Sequence, residues 1–532
     1  MLQNNKRMSW LLFAFIFLAE FSVGYYIAHI LGFMHSDAMS RVANAFYVLY
    51  SRDPHLGAIG FVWNPLPSLM ELIPLLVYPL YRPIASSGLA SVLMSSVFAG
   101  LTAVLLFRTG RKFNLSVTMS LTIALLYGLN PFFFLFGANG LSDAPYIYFI
   151  MASIAYFCLW IKDREVRDLI LTSFALSLAF WTRYEAVPLG FSLALAIAVI
   201  VLFWHKDSSY TLRERWLKVE ATAIIAILPT FFFGLLWIFF NYTIMGNPLY
   251  FLNSEYSNDA LAAILNEDES FRALFGNPIA ILELVAQKTF WYAIPLISIL
   301  IVRTITRRLF QWDLLVLLLL FAAIPGLQLL LLFRESSFGF FRYFMYVFPI
   351  VVAWIPYELH QIALRWRRIS FSIICGGMLI NACMLTYAIT NPNIAPDENN
   401  FLTINENNVK YETQKLEKEI ARWIDDNITE TVLTDSASAY VILVNSHYPK
   451  RYLITSDYDF RNAVKDPVQY GARYVLVPKP LRNVQSTINT TYPTLYEHGS
   501  DWTSLVRDFN DVWKLYQVLE SPDPESVPDP VR

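Results

Sequence analysis

About a dozen strongly apolar runs, several near 20 residues long, follow one another between Trp10 and Tyr387 of this 532-residue chain. A helix needs about 20 predominantly apolar residues to cross a bilayer. Lipid offers no partner for an unsatisfied backbone group, so a chain built mainly of such runs is restricted to a bundle of spanning helices. Composition agrees: 15% of residues are charged, against about 25% in average soluble domains. Net charge is −2, so no basic field argues for a nucleic-acid partner. Cys158, Cys375 and Cys383 all lie in apolar segments, and the later polar region has no cysteine from which a disulfide framework could be built.

The basic residues set an expected topology. Lys6 and Arg7 place the N-terminus in the cytoplasm, and residues 10–31 read as a retained signal anchor. Clusters recur at Arg108, Arg111 and Lys112; at Lys162, Arg164 and Arg167; at Lys206, Arg213, Arg215 and Lys218; at Arg303, Arg307 and Arg308; and at Arg365, Arg367 and Arg368. Each is expected inside. Residues 65–80 contain Pro65, Pro67, Pro74 and Pro79 with Glu71 among them. Proline interrupts helical hydrogen bonding, so this stretch is expected as a helix at the outer surface, with Glu71 facing water. The remaining runs alternate: 89–107, 115–136, 146–161, 169–180, 189–204, 221–240, one ending near Val302, 314–333, 345–357 and 370–387. With the first span they give about eleven crossings.

That parity puts the long loop HSDAMSRVANAFYVLYSRDPHLGAIGFVWNPLPS (35–68) outside, together with GANGLSDAPY (137–146), WTRYEAVP (181–188) and RESSFGFFRYF (334–344). The tail is outside as well. It reads as a linker (391–410), a soluble α/β domain (411–520) and a disordered end (521–532) behind a membrane domain of residues 1–390. TVLTD (431–435), YLITS (452–456), YVLVP (474–478) and VWKLYQVL (512–519) have the pattern of strands; YETQKLEKEIARWIDD (411–426) has helical periodicity, with its charges expected on a solvated face. The expected whole is a polytopic α-helical membrane protein, multi-pass in the plasma membrane, with a small extracytoplasmic α/β domain. No internal repeat is visible.

Charges at the rim of a bundle ordinarily keep short loops wet. Here they form a pattern. Asp37 and Asp143 each stand just beyond a membrane segment; Arg183 and Glu185 sit between two apolar runs; Arg342 lies inside FGFFRYFMY (338–346). Acids and arginines at an outer membrane face suit transfer of a sugar from a polyprenyl-phosphate carrier. The phosphate is already a good leaving group and needs arginine or lysine beside it. The acceptor hydroxyl needs a carboxylate base within hydrogen-bond reach.

In the order and sidedness of these motifs the chain resembles the GT-C glycosyltransferases, in particular the branch of protein O-mannosyltransferases and aminoarabinose transferases. HSDAMSRVANAFYVLY, FVWNPLPSLMELIPLL, GANGLSDAPYIYFIM, AFWTRYEAVPLGF and FFRYFMYVFPI carry the resemblance, over roughly residues 8–390. It implies a base at Asp37 and support for the acceptor, or for a metal, from Asp143 and His35. It implies donor-phosphate binding by Arg342, Arg183 and Arg334. Glu185, Tyr184, Tyr343, Trp63 and Asn64 would support that site, with Trp63 able to stack on a sugar ring or anchor at the interface. Two positions depart from the branch: Asp37 stands between Ser36 and Ala38 instead of in an acidic pair, and Trp63-Asn64-Pro65 replaces His-Pro-Pro.

The resemblance thus implies a membrane enzyme whose partners are a polyprenyl-phosphate sugar, a glycan, lipid or protein acceptor, and membrane lipid. No cofactor follows from the residues, although His35, Asp37 and Asp143 could together ligate a divalent cation. Glu20, within the first span, reads as a buried, partnered structural acid. The rival readings are a transporter or flippase, which would show repeats and midplane charges, and a non-catalytic assembly protein of envelope glycan synthesis.

Overall fold

The structure is a computed structural model describing residues 2–204, 211–254, 256–257, 269–404, 407–480 and 486–522. Lys206 and the end of the tail from residue 523 onward lie outside the described residues. Among those described, seven helices are long and apolar enough to cross a membrane: Asn5–Leu31, Leu89–Lys112, Asp143–Asp163, Ala186–Phe203, Leu212–Met245, Trp312–Phe333 and Leu364–Thr390. Two bent helix pairs raise the number to nine if each is one span. Much of this apolar surface faces outward. On Leu212–Met245, Leu228, Phe231 and Phe232 are all more than half exposed, and only lipid accommodates such a surface. The chain is an integral membrane protein.

Several expected spans take a different form for identifiable reasons. The run 115–136 is broken into Val117–Gly128 and Pro131–Ala138, bent by 67°. The Asn130 side chain caps the second piece by accepting from the Phe132 amide at 3.1 Å, and Pro131 occupies the first helical position. The span ending near Val302 is likewise a pair, Pro278–Phe290 and Ile294–Ile305, bent by 76°. Residues 65–80 give a ten-residue helix, Leu66–Leu75. Its Glu71 is fully buried and does not face water, which corrects the sequence expectation. Glu71 lies on the packed face of this helix with Pro67, Ser68 and Leu75, while Ile73 is exposed on the other side.

The chain divides into two compact units. The first comprises Met1–Gly24, Val92–Thr243 and Leu265–Leu402. Its most buried helix is Val347–Gln361, apolar on every side except where Glu358 meets a charge network. Arg303, with no exposed surface, donates to both oxygens of Asp313 at 2.7 and 3.0 Å and from Nε to Glu358 at 3.0 Å. Arg308 bridges the same two acids, each at 3.2 Å. Two cations and two carboxylates thereby tie Ile294–Ile305, Trp312–Phe333 and Val347–Gln361 together, where the sequence showed only a basic loop. Glu20 is also buried in this unit, but its Oε2 has no hydrogen-bond partner, contrary to the expected pairing. It presses on Gly137, where a Cβ would fall 1.7 Å from that oxygen, so only glycine fits.

The second unit comprises Tyr25–Ser91, Ile244–Ile264 and Thr403–Arg532. Its sheet has five strands: β1 (Thr431–Leu433), β2 (Tyr452–Leu453), β3 (Ala472–Pro478), β4 (Thr503–Phe509) and β5 (Trp513–Val518), in the order β2-β1-β3-β5-β4. β1 runs parallel to β2 and β3; β5 pairs antiparallel with β3 and β4. Four strands coincide with the apolar runs read from sequence. β4 does not, because an almost wholly exposed edge strand carries no apolar alternation. Leu433, Leu453, Val475, Val477 and Tyr516 form part of the core beneath the sheet. Helix Val409–Asn427 is not merely solvated on its charged face: Glu417 is buried, and burial pushes its carboxyl up to about 8.

Replacing Arg303 by Met should leave two buried carboxylates to Arg308 alone and lower stability by about 3 kcal/mol. Arg307→Met, at an exposed position, should change little. Thermal unfolding of the two detergent-solubilised variants makes the comparison; equal losses would contradict the network's role.

Candidate active-site clusters

In the first unit the turn at 181–188 places partly buried charges beside a fully buried one. Helix Val166–Thr182 ends as Arg183 adopts an extended conformation, and Glu185 precedes the next helix, Ala186–Val199. The short connection holds both side chains against the start of Asp143–Asp163. Arg183 donates to Glu185 Oε1 from Nε at 3.1 Å and from Nη2 at 2.7 Å, and to Asp143 Oδ1 from Nη1 at 3.3 Å. The Tyr346 hydroxyl donates to the same Asp143 oxygen at 2.5 Å. The Arg183 guanidinium lies over the Tyr346 ring at 5.6 Å, and Tyr146 packs edge-on to Tyr346.

Asp143 is fully buried, and its Oδ2 has no hydrogen-bond partner. One oxygen is thus pinned by a tyrosine and an arginine, while the other is buried with no hydrogen-bond partner. Arg183 is already shared between two carboxylates, which makes it an orienting group for Asp143 more than an open anion site. Tyr184 is turned away from this cluster and accepts from Trp237 Nε1 at 3.1 Å.

Arg342 stands in the same unit, in a single 3-10 turn, Phe341–Phe344. It is buried, with its guanidinium 5.8 Å from the rings of both Phe340 and Tyr343. Arginine tolerates such surroundings because its charge is delocalised and weakly hydrated. Lys288 reinforces the segment by donating to the Gly339 carbonyl. Glu398, on helix Pro396–Leu402, adds an acid: both oxygens are buried without a hydrogen-bond partner, and Arg342 acts on it electrostatically. Burial pushes its carboxyl up to about 7 against the pull of Arg342. Arg334, by contrast, is exposed at the end of Trp312–Phe333 and takes no part in either cluster.

In the second unit Asp37 lies in the first turn of helix Ser36–Tyr50. Its side chain is 41% exposed. His35 is the N-cap: its Nδ1 accepts from the Asp37 amide at 3.3 Å and lies 4.0 Å from the Asp37 carboxylate. A carboxylate at a helix N-terminus is favoured by the exposed amides there. One turn later Arg41 is buried, donates to the Asn64 carbonyl at 3.1 Å and lies over the Trp63 ring at 4.9 Å. Trp63 and Asn64 therefore brace this helix.

The structure thus brings Asp143, Arg183 and Glu185 together in one cluster and Asp37, His35, Trp63 and Asn64 into the other unit. Among the described residues no group of three His, Cys, Asp or Glu side chains could hold a metal ion. Sequence reasoning missed Arg41, Lys288, Tyr346 and Glu398. Arg41 was legible, since an i, i+4 spacing puts it on the face of Asp37. The other three meet their partners only through tertiary packing.

The raised Glu398 group has a sign that can be checked. The folded protein holds this proton up to about pH 7, while an unfolded chain releases it near 4.5. Its stability contribution is complete below the lower value and is lost as pH rises through the upper one. Between about pH 5 and about pH 8, Glu398→Gln should flatten part of the fall in thermal stability. Parallel pH profiles for parent and variant would contradict this assignment.

Residues 77–233 match the family model described as dolichyl-phosphate-mannose-protein mannosyltransferase. No curated protein sequence matches. A crystal structure of the Archaeoglobus fulgidus oligosaccharyltransferase tethered to an acceptor peptide aligns at 10% identity and a TM-score of 0.41, covering 91% of this chain and 70% of that one. The archaeal oligosaccharyltransferase AglB from the same organism, in complex with an inhibitory peptide and a dolichol-phosphate, aligns at 10% identity and a TM-score of 0.39, with the same coverage. The resemblance to glycosyltransferases of the protein mannosyltransferase branch is therefore borne out over residues 77–233, the stretch that carries Asp143, Arg183 and Glu185.

Proposed function

We propose that the chain is a membrane glycosyltransferase that moves a sugar from a polyprenyl-phosphate donor to a hydroxyl of a glycan, lipid or protein on the non-cytoplasmic side. The observation that carries the reading is the mannosyltransferase-family match over the segment in which buried Asp143 meets Arg183 and Glu185. In this reading the bundle makes about eleven crossings with its N-terminus in the cytoplasm. Residues 1–390 form the transferase body, 391–410 a linker and 411–520 an extracytoplasmic domain.

Asp37 is the base. Its carboxylate takes the proton of the acceptor hydroxyl as that oxygen attacks the anomeric carbon. The new C–O bond forms as the bond from that carbon to the phosphate oxygen breaks, and the electron pair leaves with the polyprenyl phosphate. A single base in one step implies inversion at the anomeric carbon. Arg342 stabilises the charge growing on the departing phosphate, where a preformed cation in a dry site is most effective. Asp143, oriented by Arg183 and Tyr346, accepts a hydrogen bond from the sugar or the acceptor through its unpartnered oxygen.

The test is complementation of a deletion strain. Asp37→Asn should reduce transfer about 10²- to 10⁴-fold at normal protein abundance, so that the polyprenyl-linked sugar accumulates in lipid extracts. Arg342→Ala should do the same, with partial relief by Arg342→Lys. A strain carrying Asp37→Asn whose lipid-linked sugars and glycans match the parent's would defeat the enzyme reading and favour a non-catalytic role.

A further inference from the structure

The turn that delivers Asp37 is gripped from the far end of the sequence. The first apolar helix closes with a π-helical stretch, Tyr26–Leu31, and Gly32 then takes a left-handed conformation with φ 76°. A side chain there would be strained and would also crowd Lys418. Three residues of helix Val409–Asn427 meet this turn: Tyr411, Gln414 and Lys418. Their spacing of three and four puts them on one face of the helix. Gln414 is buried and pairs with Met34 in both directions: its Oε1 accepts from the Met34 amide at 3.1 Å, and its Nε2 donates to the Met34 carbonyl at 2.7 Å. Lys418 Nζ donates to the Gly32 carbonyl at 2.6 Å. Tyr411 packs edge-on to Phe33 with ring centroids 6.3 Å apart.

Consecutive residues Gly32, Phe33 and Met34 are thus each held by one side chain of a single helix face. Next along the chain come His35, which caps helix Ser36–Tyr50, and then Asp37. A second contact closes on the same point: Tyr440, on helix Ser436–Asn445, lies beside Ser36 and within electrostatic reach of Asp37. A generic packing surface would use apolar contacts. This one satisfies the backbone groups of a turn that the π-helical ending leaves outside regular structure.

We propose that the face of helix Val409–Asn427 formed by Tyr411, Gln414 and Lys418, with Tyr440, is a positioning element that sets the carboxylate of Asp37 for attack on the acceptor. The C-terminal region is then a working part of the acceptor-activating machinery rather than a cap. This rests on the reading of Asp37 as the base. A displacement of about 1 Å at a reacting group can lower a rate by about 100-fold, which gives a remote helix face enough leverage to matter.

The same unit supplies a control. Arg52 and Asp459 form a two-pronged ion pair at 3.1 and 2.9 Å that also joins the first loop to the C-terminal region, but just beyond the opposite end of helix Ser36–Tyr50. The experiment uses the full chain in the deletion strain, with protein abundance measured in membranes. Gln414→Ala and Lys418→Met should raise the accumulated polyprenyl-linked sugar at least about 10-fold over the parent. Gln414→Glu, which keeps the acceptor for the Met34 amide and loses the donor, should fall between. Asp459→Asn should leave the level near the parent's.

Hydrogen exchange of the purified protein in detergent gives a readout independent of substrate. The Met34 amide should lose protection in Gln414→Ala and keep it in Asp459→Asn. If Asp37→Asn causes no accumulation, the reading of the base is wrong. If Asp37→Asn does, while Gln414→Ala and Lys418→Met behave as the parent, the positioning proposal is overturned. Equal effects of Asp459→Asn and Gln414→Ala, with Met34 protection unchanged, would reduce these contacts to ordinary packing.

Discussion

Lipid accepts no hydrogen bond and solvates no charge, and that constraint decides where this chain can keep its chemistry. Two groups of ionisable residues described inside the first unit are held in ion-pair networks. Arg303 and Arg308 are shared between Asp313 and Glu358, and Arg183 is shared between Asp143 and Glu185. The two networks resemble each other electrostatically but differ in what they leave over. Both oxygens of Asp313 and of Glu358 accept hydrogen bonds. The Asp143 network leaves one carboxylate oxygen unpartnered.

How much of this was legible depended on the range of the interaction. Apolar runs are local, so the membrane class and most spanning helices followed from sequence. Of the exceptions, 169–180 and 345–357 fall in helices of 17 and 15 residues, shorter than a full span, while 115–136 and the segment before Val302 break where Asn130–Pro131 and Pro295 restart a helix. Four of the five strands were apolar enough to read; exposed Thr503–Phe509 was not. Among the candidate site residues, Asp37, Asp143, Arg183, Glu185 and Arg342 were visible as charges where charge is rare. Tyr346, the partner of Asp143 across 203 positions, looked like one more aromatic in an aromatic run. Glu71 and Glu417 were misread for a common reason: a carboxylate is expected in water, and both are buried at positions their local sequence does not mark.

The C-terminal helix carries a similar lesson. Its sequence, rich in Lys and Glu, has the composition of a solvated surface. Yet Gln414 and Lys418 satisfy the backbone of a turn about 380 residues earlier. Polar side chains with long stems suit this task because each can reach one exposed carbonyl or amide without imposing a fold of its own. Catalytic precision at Asp37 would then come from three sources: the His35 cap, the Gly32 conformation and a helix face supplied from a distance.

Transfer chemistry and lipid transport differ in one product. A glycosyltransferase breaks the bond between sugar and phosphate and releases the polyprenyl phosphate; a flippase returns the donor intact. The decisive measurement is therefore polyprenyl-phosphate release by the purified full chain in liposomes. The donor would be isolated from the deletion strain, and acceptor-bearing membranes from the same strain would be added. The account predicts release that depends on the Asp37 carboxylate. Donor recovered whole, or consumed equally by parent and Asp37→Asn, would contradict it.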